Sequence, residues 1–145
     1  FTAAGVLIER GPRQMLEVQL GVEDWIAPSA EGVKLPPLLP ESLGRARLAG
    51  QIMDSKCFFG VMRPSRGKTH KACASLCIRG GIPPSFWARG ADGREAVLLM
   101  TDARGAALGE DILPFVADPV EAEGELVRVG DLVQFRADAS AYRRL

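Results

Sequence analysis

The sequence predicts an all-β fold carrying one or two short helices, and three features of the pattern predict it. Apolar and polar residues alternate with period two in several stretches. Gly, Pro and Asp punctuate the gaps between them, and few stretches carry a helical pattern.

The elements follow in chain order. FTAAGVLIERGPRQMLEVQL, residues 1 to 20, reads as a hairpin, and residues 27 to 44 hold four prolines and read as a linker. RARLAGQIMDS (45 to 55) reads as a strand. KTHKACASLCIRGG (68 to 81) reads as a helix, with Thr69 as candidate N-cap and Gly80-Gly81 as its left-handed exit. The prolines of GGIPP (80 to 84) enforce an extended path after it. REAVLLMTD (94 to 102) reads as a buried strand after the turn GADG, and LGEDILPFVADP (108 to 119) holds a helical turn at most. VEAEGELVRVGDLVQFRAD (120 to 138) reads as a hairpin turning at Gly130-Asp131, with Leu126, Leu132 and Phe135 as core candidates. Trp25 is expected to pack between the N-terminal segment and the rest.

The first hairpin echoes the last. Gly5 falls on Gly124, Leu7 on Leu126, Ile8 on Val127 and Gly11 on Gly130, with one extra residue expected in the first turn. Either residues 1 to 20 close a preceding copy of the same domain, or the two are simply hairpins.

The chain of 145 residues, 47% hydrophobic and 25% charged, suits one ordinary domain, or a small domain plus part of another. Eighteen basic residues balance eighteen acidic ones, so no cationic surface is available to track phosphates, and nucleic acid is not an expected partner. No apolar run approaches the roughly 18 to 20 residues that span a bilayer. Phe1 in place of Met leads us to expect a processed N-terminus or an anchor upstream.

All three cysteines and the only histidine lie in DSKCFFGVMRPSRGKTHKACASLCIRGGIPP, residues 54 to 84. On a helix over 68 to 79, His70, Cys73 and Cys77 stand at i, i+3 and i+7 and share one face, and Cys57 reaches them across a loop. Three thiolates and one imidazole form a complete tetrahedral set for zinc. The alternatives are a disulfide from Cys57 to Cys77 or Cys73, or buried unlinked thiols. A catalytic thiol beside His70 would need a third, orienting group, and none is evident. Asp54 and Ser55 read as an N-cap or Asx turn at the loop entrance. One of Phe86 and Trp87 is expected to pack inward; the other, with Phe58, Phe59 and Met62, either packs into the core, the commoner fate of such residues, or forms an exposed apolar patch that marks a partner surface.

These residues resemble a family of small, uncharacterised bacterial exported domains with a D-S-x-C … H-x-x-C-A-x-x-C-[IV]-x-G-G motif. Asp54, Ser55, Cys57, His70, Cys73, Ala74, Cys77, Gly80 and Gly81 match it, and the resemblance covers residues 46 to 138. It implies an OB-like five-stranded barrel in the periplasm or outside the cell, with no established catalytic activity. The expected organisation is thus an N-terminal hairpin (1–26), a Pro-rich linker (27–44) and an OB-like barrel holding the cluster (45–145). The leading functional expectation is a non-enzymatic accessory domain that docks through Phe58, Phe59, Met62, Phe86 and Trp87 on subunits of a membrane-associated, electron-transfer type of complex. The alternative is a periplasmic protein that binds zinc or copper through Cys57, His70, Cys73 and Cys77.

Overall fold

In the computed structural model the described residues are 2–11, 13–18, 26–27, 37–60 and 62–145. The chain divides into two units, residues 1–37 and 38–145.

The first unit carries β1 (Thr2–Ala3), β2 (Gly5–Arg10), β3 (Arg13–Val18) and β4 (Ile26–Ala27). Strands β2 and β3 form the expected antiparallel hairpin, with Leu7 opposite Leu16 and Arg10 opposite Arg13, and β1 pairs with β4. The Arg10–Arg13 pair leaves two residues in the turn, so the extra residue expected there is absent. Trp25 and the proline-rich stretch 28–36 lie outside the described residues.

The second unit carries β5 (Glu41–Asp54), α1 (Ser55–Phe59), α2 (Lys71–Arg79), β6 (Pro84–Arg89), β7 (Glu95–Thr101), β8 (Pro119–Val129), β9 (Leu132–Arg136) and β10 (Tyr142–Arg144). The sheet order is β10-β8-β5-β6-β7-β9, and an additional β8–β9 pairing closes five of the six strands into a ring. All neighbours are antiparallel except β7 and β9. This all-β, barrel-like arrangement is the fold class the alternation predicts. Strand β5 starts earlier than expected, because Glu41 already faces Arg128 on β8, so residues 41–44 belong to the ring and not to the linker.

Alternation along these strands points Ile52, Phe86, Met100, Val120 and Phe135 into one core, each at most 2% exposed. Ala74 and Ile78 of α2, four residues apart on one helix face, join that core. Leu126 is partly buried against it, whereas Leu132 is 49% exposed. Leu132 directly follows the Gly130-Asp131 turn, where the hairpin extends beyond the packed interior.

Two local devices hold α2. At its end Ile82 N–H donates to Cys77 O and Gly81 N–H to Ile78 O, both at 3.0 Å, with Gly81 at φ 97°. This is the Schellman arrangement that the double glycine predicts. At its start Lys71 Nζ meets Asp118 Oδ2 at 2.9 Å. Thr69 is not the cap. Residues Lys68–His70 form a 3-10 turn, and His70 takes the cap position without a side-chain capping bond, because its ring is engaged elsewhere.

Candidate metal centre

The site forms where β5 runs out into α1. Asp54, the last residue of β5, caps α1 through its side chain: Cys57 N–H donates to Asp54 Oδ1 at 2.7 Å. That bond places Cys57 on the first turn of α1, beside the carboxylate. Ser55 anchors the other side, its Oγ donating to Pro83 O at 2.6 Å and lying 2.7 Å from Ser85 Oγ. The end of β5, the exit of α2 and the start of β6 are thereby tied together.

The second oxygen of the same carboxylate, Asp54 Oδ2, lies 3.0 Å from Nε2 of His70. Both side chains are buried. A carboxylate fixes the ring tautomer with hydrogen on Nε2 and leaves the lone pair on Nδ1.

Cys57 is buried, and Cys73 and Cys77 are half-buried on α2; all three are free thiols. Cys57 Sγ and Cys73 Sγ are 3.8 Å apart. That is far beyond the roughly 2.05 Å of a disulfide, so the disulfide alternative is not what the structure shows. It matches the edge of a zinc tetrahedron, since bonds of about 2.3 Å put two ligand sulphurs about 3.8 Å apart. Two thiols in plain contact also stand at this separation, so the convergence of other donors on them is the more telling feature. Donor atoms of Cys57, His70 and Cys73 all lie within 4.8 Å of one another, and so do those of Asp54, Cys57 and Cys77. The four residues expected from spacing are therefore gathered, as two overlapping groups that share Cys57, and Asp54 is a fifth donor.

Electrostatics fit a site that lacks positive charge. Burial pushes the Cys57 thiol well above its ordinary range, and hydrogen bonding to Asp54 adds to the shift. Burial also raises Cys77, with the Asp54 charge next. A cation among these sulphurs would reverse both effects and bind the thiolates directly.

Asp54 is the donor that sequence reasoning missed; it had been assigned only the cap. A signal existed, because an N-cap aspartate three residues before a cysteine necessarily sets that cysteine against the carboxylate. Asp54, 3.0 Å from His70 Nε2, also stands where a third, orienting group for a Cys–His pair would stand. Cys57 is buried with its thiol raised by burial, whereas Cys73, the thiol that the catalytic alternative pairs with His70, is half-buried.

The expected docking surface is only partly present. Phe86 is fully buried, facing Ile52 across β5 and β6, and Phe58 is 5% exposed. Neither can serve as a docking side chain; on strand β6 neighbouring side chains face opposite ways, so Phe86 points inward and Trp87 outward. Phe59 and Trp87 are half-buried, Trp87 under the Arg66 guanidinium at 3.9 Å, and Met62 is 49% exposed.

Compared with protein-family models, curated proteins and solved structures, the chain shows no match. The reading of this site rests on its geometry.

Proposed function

We propose that this protein is a metal-binding domain that takes one zinc-class divalent ion through Cys57, His70, Cys73 and Cys77, with Asp54 as the outer carboxylate. The observation that carries the reading is the buried Asp54–His70 pair beside two converging thiols. A carboxylate behind a ligating imidazole is the usual outer arrangement of a metal site, and a disulfide or a set of plain buried thiols has no use for it. Soft sulphur donors with one imidazole favour zinc or a similarly thiophilic ion over calcium or magnesium.

A closed set of four protein donors leaves no open position for substrate, so the ion's role is structural and the domain is not an enzyme. It would clamp α1, the loop over residues 62–67 and α2 against the mouth of the ring. A surface locked in this way suits the accessory role expected from the sequence, in an exported setting. The metal reading is preferred because two of the five expected docking side chains are in the core.

The test is elemental analysis of purified protein together with thiol counting. One zinc per chain and three thiols that react only after chelation are expected. Cobalt substitution should give the absorption of tetrahedral sulphur ligation. Cys57→Ser should lose the ion, whereas Met62→Ser should keep it. Protein that binds neither zinc nor cobalt with all thiols reduced would sink the proposal.

A further inference from the structure

The N-terminal unit repeats the end of the ring. A constant offset of 119 residues carries Gly5 to Gly124 and Gly11 to Gly130. The same offset carries five of the six strand pairs of β2–β3 onto pairs of β8–β9, from Val6–Glu17 onto Glu125–Arg136 to Arg10–Arg13 onto Val129–Leu132. It also reaches beyond the hairpin. Thr2 and Ala3 on β1 fall on Glu121 and Ala122, and both segments pair outward with one further strand. Ala3 faces Ile26 on β4 as Ala122 faces Tyr142 on β10, and Thr2 faces Ala27 as Glu121 faces Arg143.

Two details argue against a chance likeness of hairpins. Both turns open on a glycine at φ 60°. A Cβ added to Gly5 would stand 2.5 Å from Glu17 O, and one added to Gly124 would stand 2.5 Å from Arg136 O. Glu17 and Arg136 are themselves one offset apart. The same glycine is thus required by the same close backbone approach.

What differs is the cover. In the ring, β8 pairs with β5 and β9 with β7, and Val127 and Phe135 are buried. Among the described residues β2 and β3 pair only with each other. Leu7 is 56% exposed, Leu16, the counterpart of Phe135, is 47% exposed, and Val6 is 65% exposed. A two-stranded hairpin is marginal by itself, and its open edges are templates for further strands.

We infer that β1–β4 are the closing strands of a second ring of this kind, β1 and β2 together standing for β8, β3 for β9 and β4 for β10. The hairpin's open face and edges are the seat for three strands arranged like β5, β6 and β7, contributed by polypeptide on the N-terminal side of Phe1. A second copy of the chain is a poorer occupant, because its own β5, β6 and β7 are already closed by β8 and β9.

Fusing a copy of residues 38–119 directly before Phe1 restores the offset and tests this. Amide hydrogen exchange of the fusion should show residues 6–18 protected at least about a hundredfold more than in the 145-residue chain, approaching residues 125–137. Leu16→Asp in the fusion should abolish that gain and leave 125–137 protected. Exchange at 6–18 that is unchanged by the fusion, or protection indifferent to Leu16→Asp, would overturn the inference.

Discussion

The Asp54 carboxylate performs two tasks at once: Oδ1 accepts Cys57 N–H at 2.7 Å and Oδ2 holds His70 Nε2 at 3.0 Å, with Asp54 fully excluded from solvent. One buried carboxylate therefore positions two candidate ligands 13 residues apart in sequence. Asp54→Asn can keep the cap through its amide oxygen, but it presents an NH2 where His70 needs an acceptor. Metal affinity should fall about 10- to 100-fold, the usual cost of losing an outer-shell partner. Chelator competition measures the affinity, and nitrogen chemical shifts of the His70 ring report the tautomer. Wild-type affinity in Asp54→Asn would remove this carboxylate from the metal site.

The raised thiols set the pH behaviour. An unfolded cysteine ionises near pH 8.5. Burial moves Cys57 and Cys77 above their ordinary range in the folded state. Below the unfolded value both states hold these protons, and the contribution to stability is fully present. As pH rises past it, the unfolded chain releases protons that the folded chain retains, so metal-free stability declines. With zinc the sense reverses, since binding displaces protons and affinity grows with pH. Urea midpoints between about pH 7 and about pH 10 should fall for chelated protein, and less steeply for Cys57→Ser.

Much of the ring was legible because its signals are local. The apolar run Ala96 to Met100 after the turn GADG marks β7, and Gly130-Asp131 between two alternating stretches marks the β8–β9 turn. The Cys/His spacing pointed to four residues that the fold does gather, since three sit on one helical segment. What stayed hidden depends on register or on distant partners. Either Phe86 or Trp87 could face inward until β6 is set against β5, which pairs Phe86 with Ile52. The Asp54–His70 contact spans 16 residues and exists only once α2 has docked. The start of β5 at Glu41 was masked by the neighbouring prolines, whose composition reads as linker.

Asp118 ties α2 to the sheet edge, accepting from Lys71 Nζ at 2.9 Å and from Arg144 Nε at 3.0 Å. These partners, Lys71 first, hold its carboxyl below the ordinary range against the opposing effect of burial. Its contribution is present above the unfolded pKa of about 3.9 and is lost as pH falls through the lower folded value. Asp118→Asn should therefore lower stability at pH 7, and the difference from wild type should shrink at strongly acidic pH. Thermal melts at both pH values check it; a constant difference would mean that the charge is not what Asp118 supplies.

Tyr142 is 4% exposed and packs among Phe86, Phe115 and Phe135 at ring-centroid distances of 6.2 to 6.3 Å. Among the described residues its hydroxyl has no hydrogen-bond partner, and burial raises its ionisation well above the ordinary tyrosine range. The ring contributes apolar contact area on β10, while the hydroxyl loses its hydration and gains no bond in return. A buried unsatisfied group costs about 1–3 kcal/mol, whereas the ring contacts survive replacement by phenylalanine. Tyr142→Phe should raise stability by about 1 kcal/mol in urea denaturation and leave metal content unchanged. Tyr142→Ala should lower it by about 3–5 kcal/mol through the cavity it opens beneath β8 and β10. A loss of stability in Tyr142→Phe would show that the hydroxyl is satisfied in solution, by a water held among these aromatic rings.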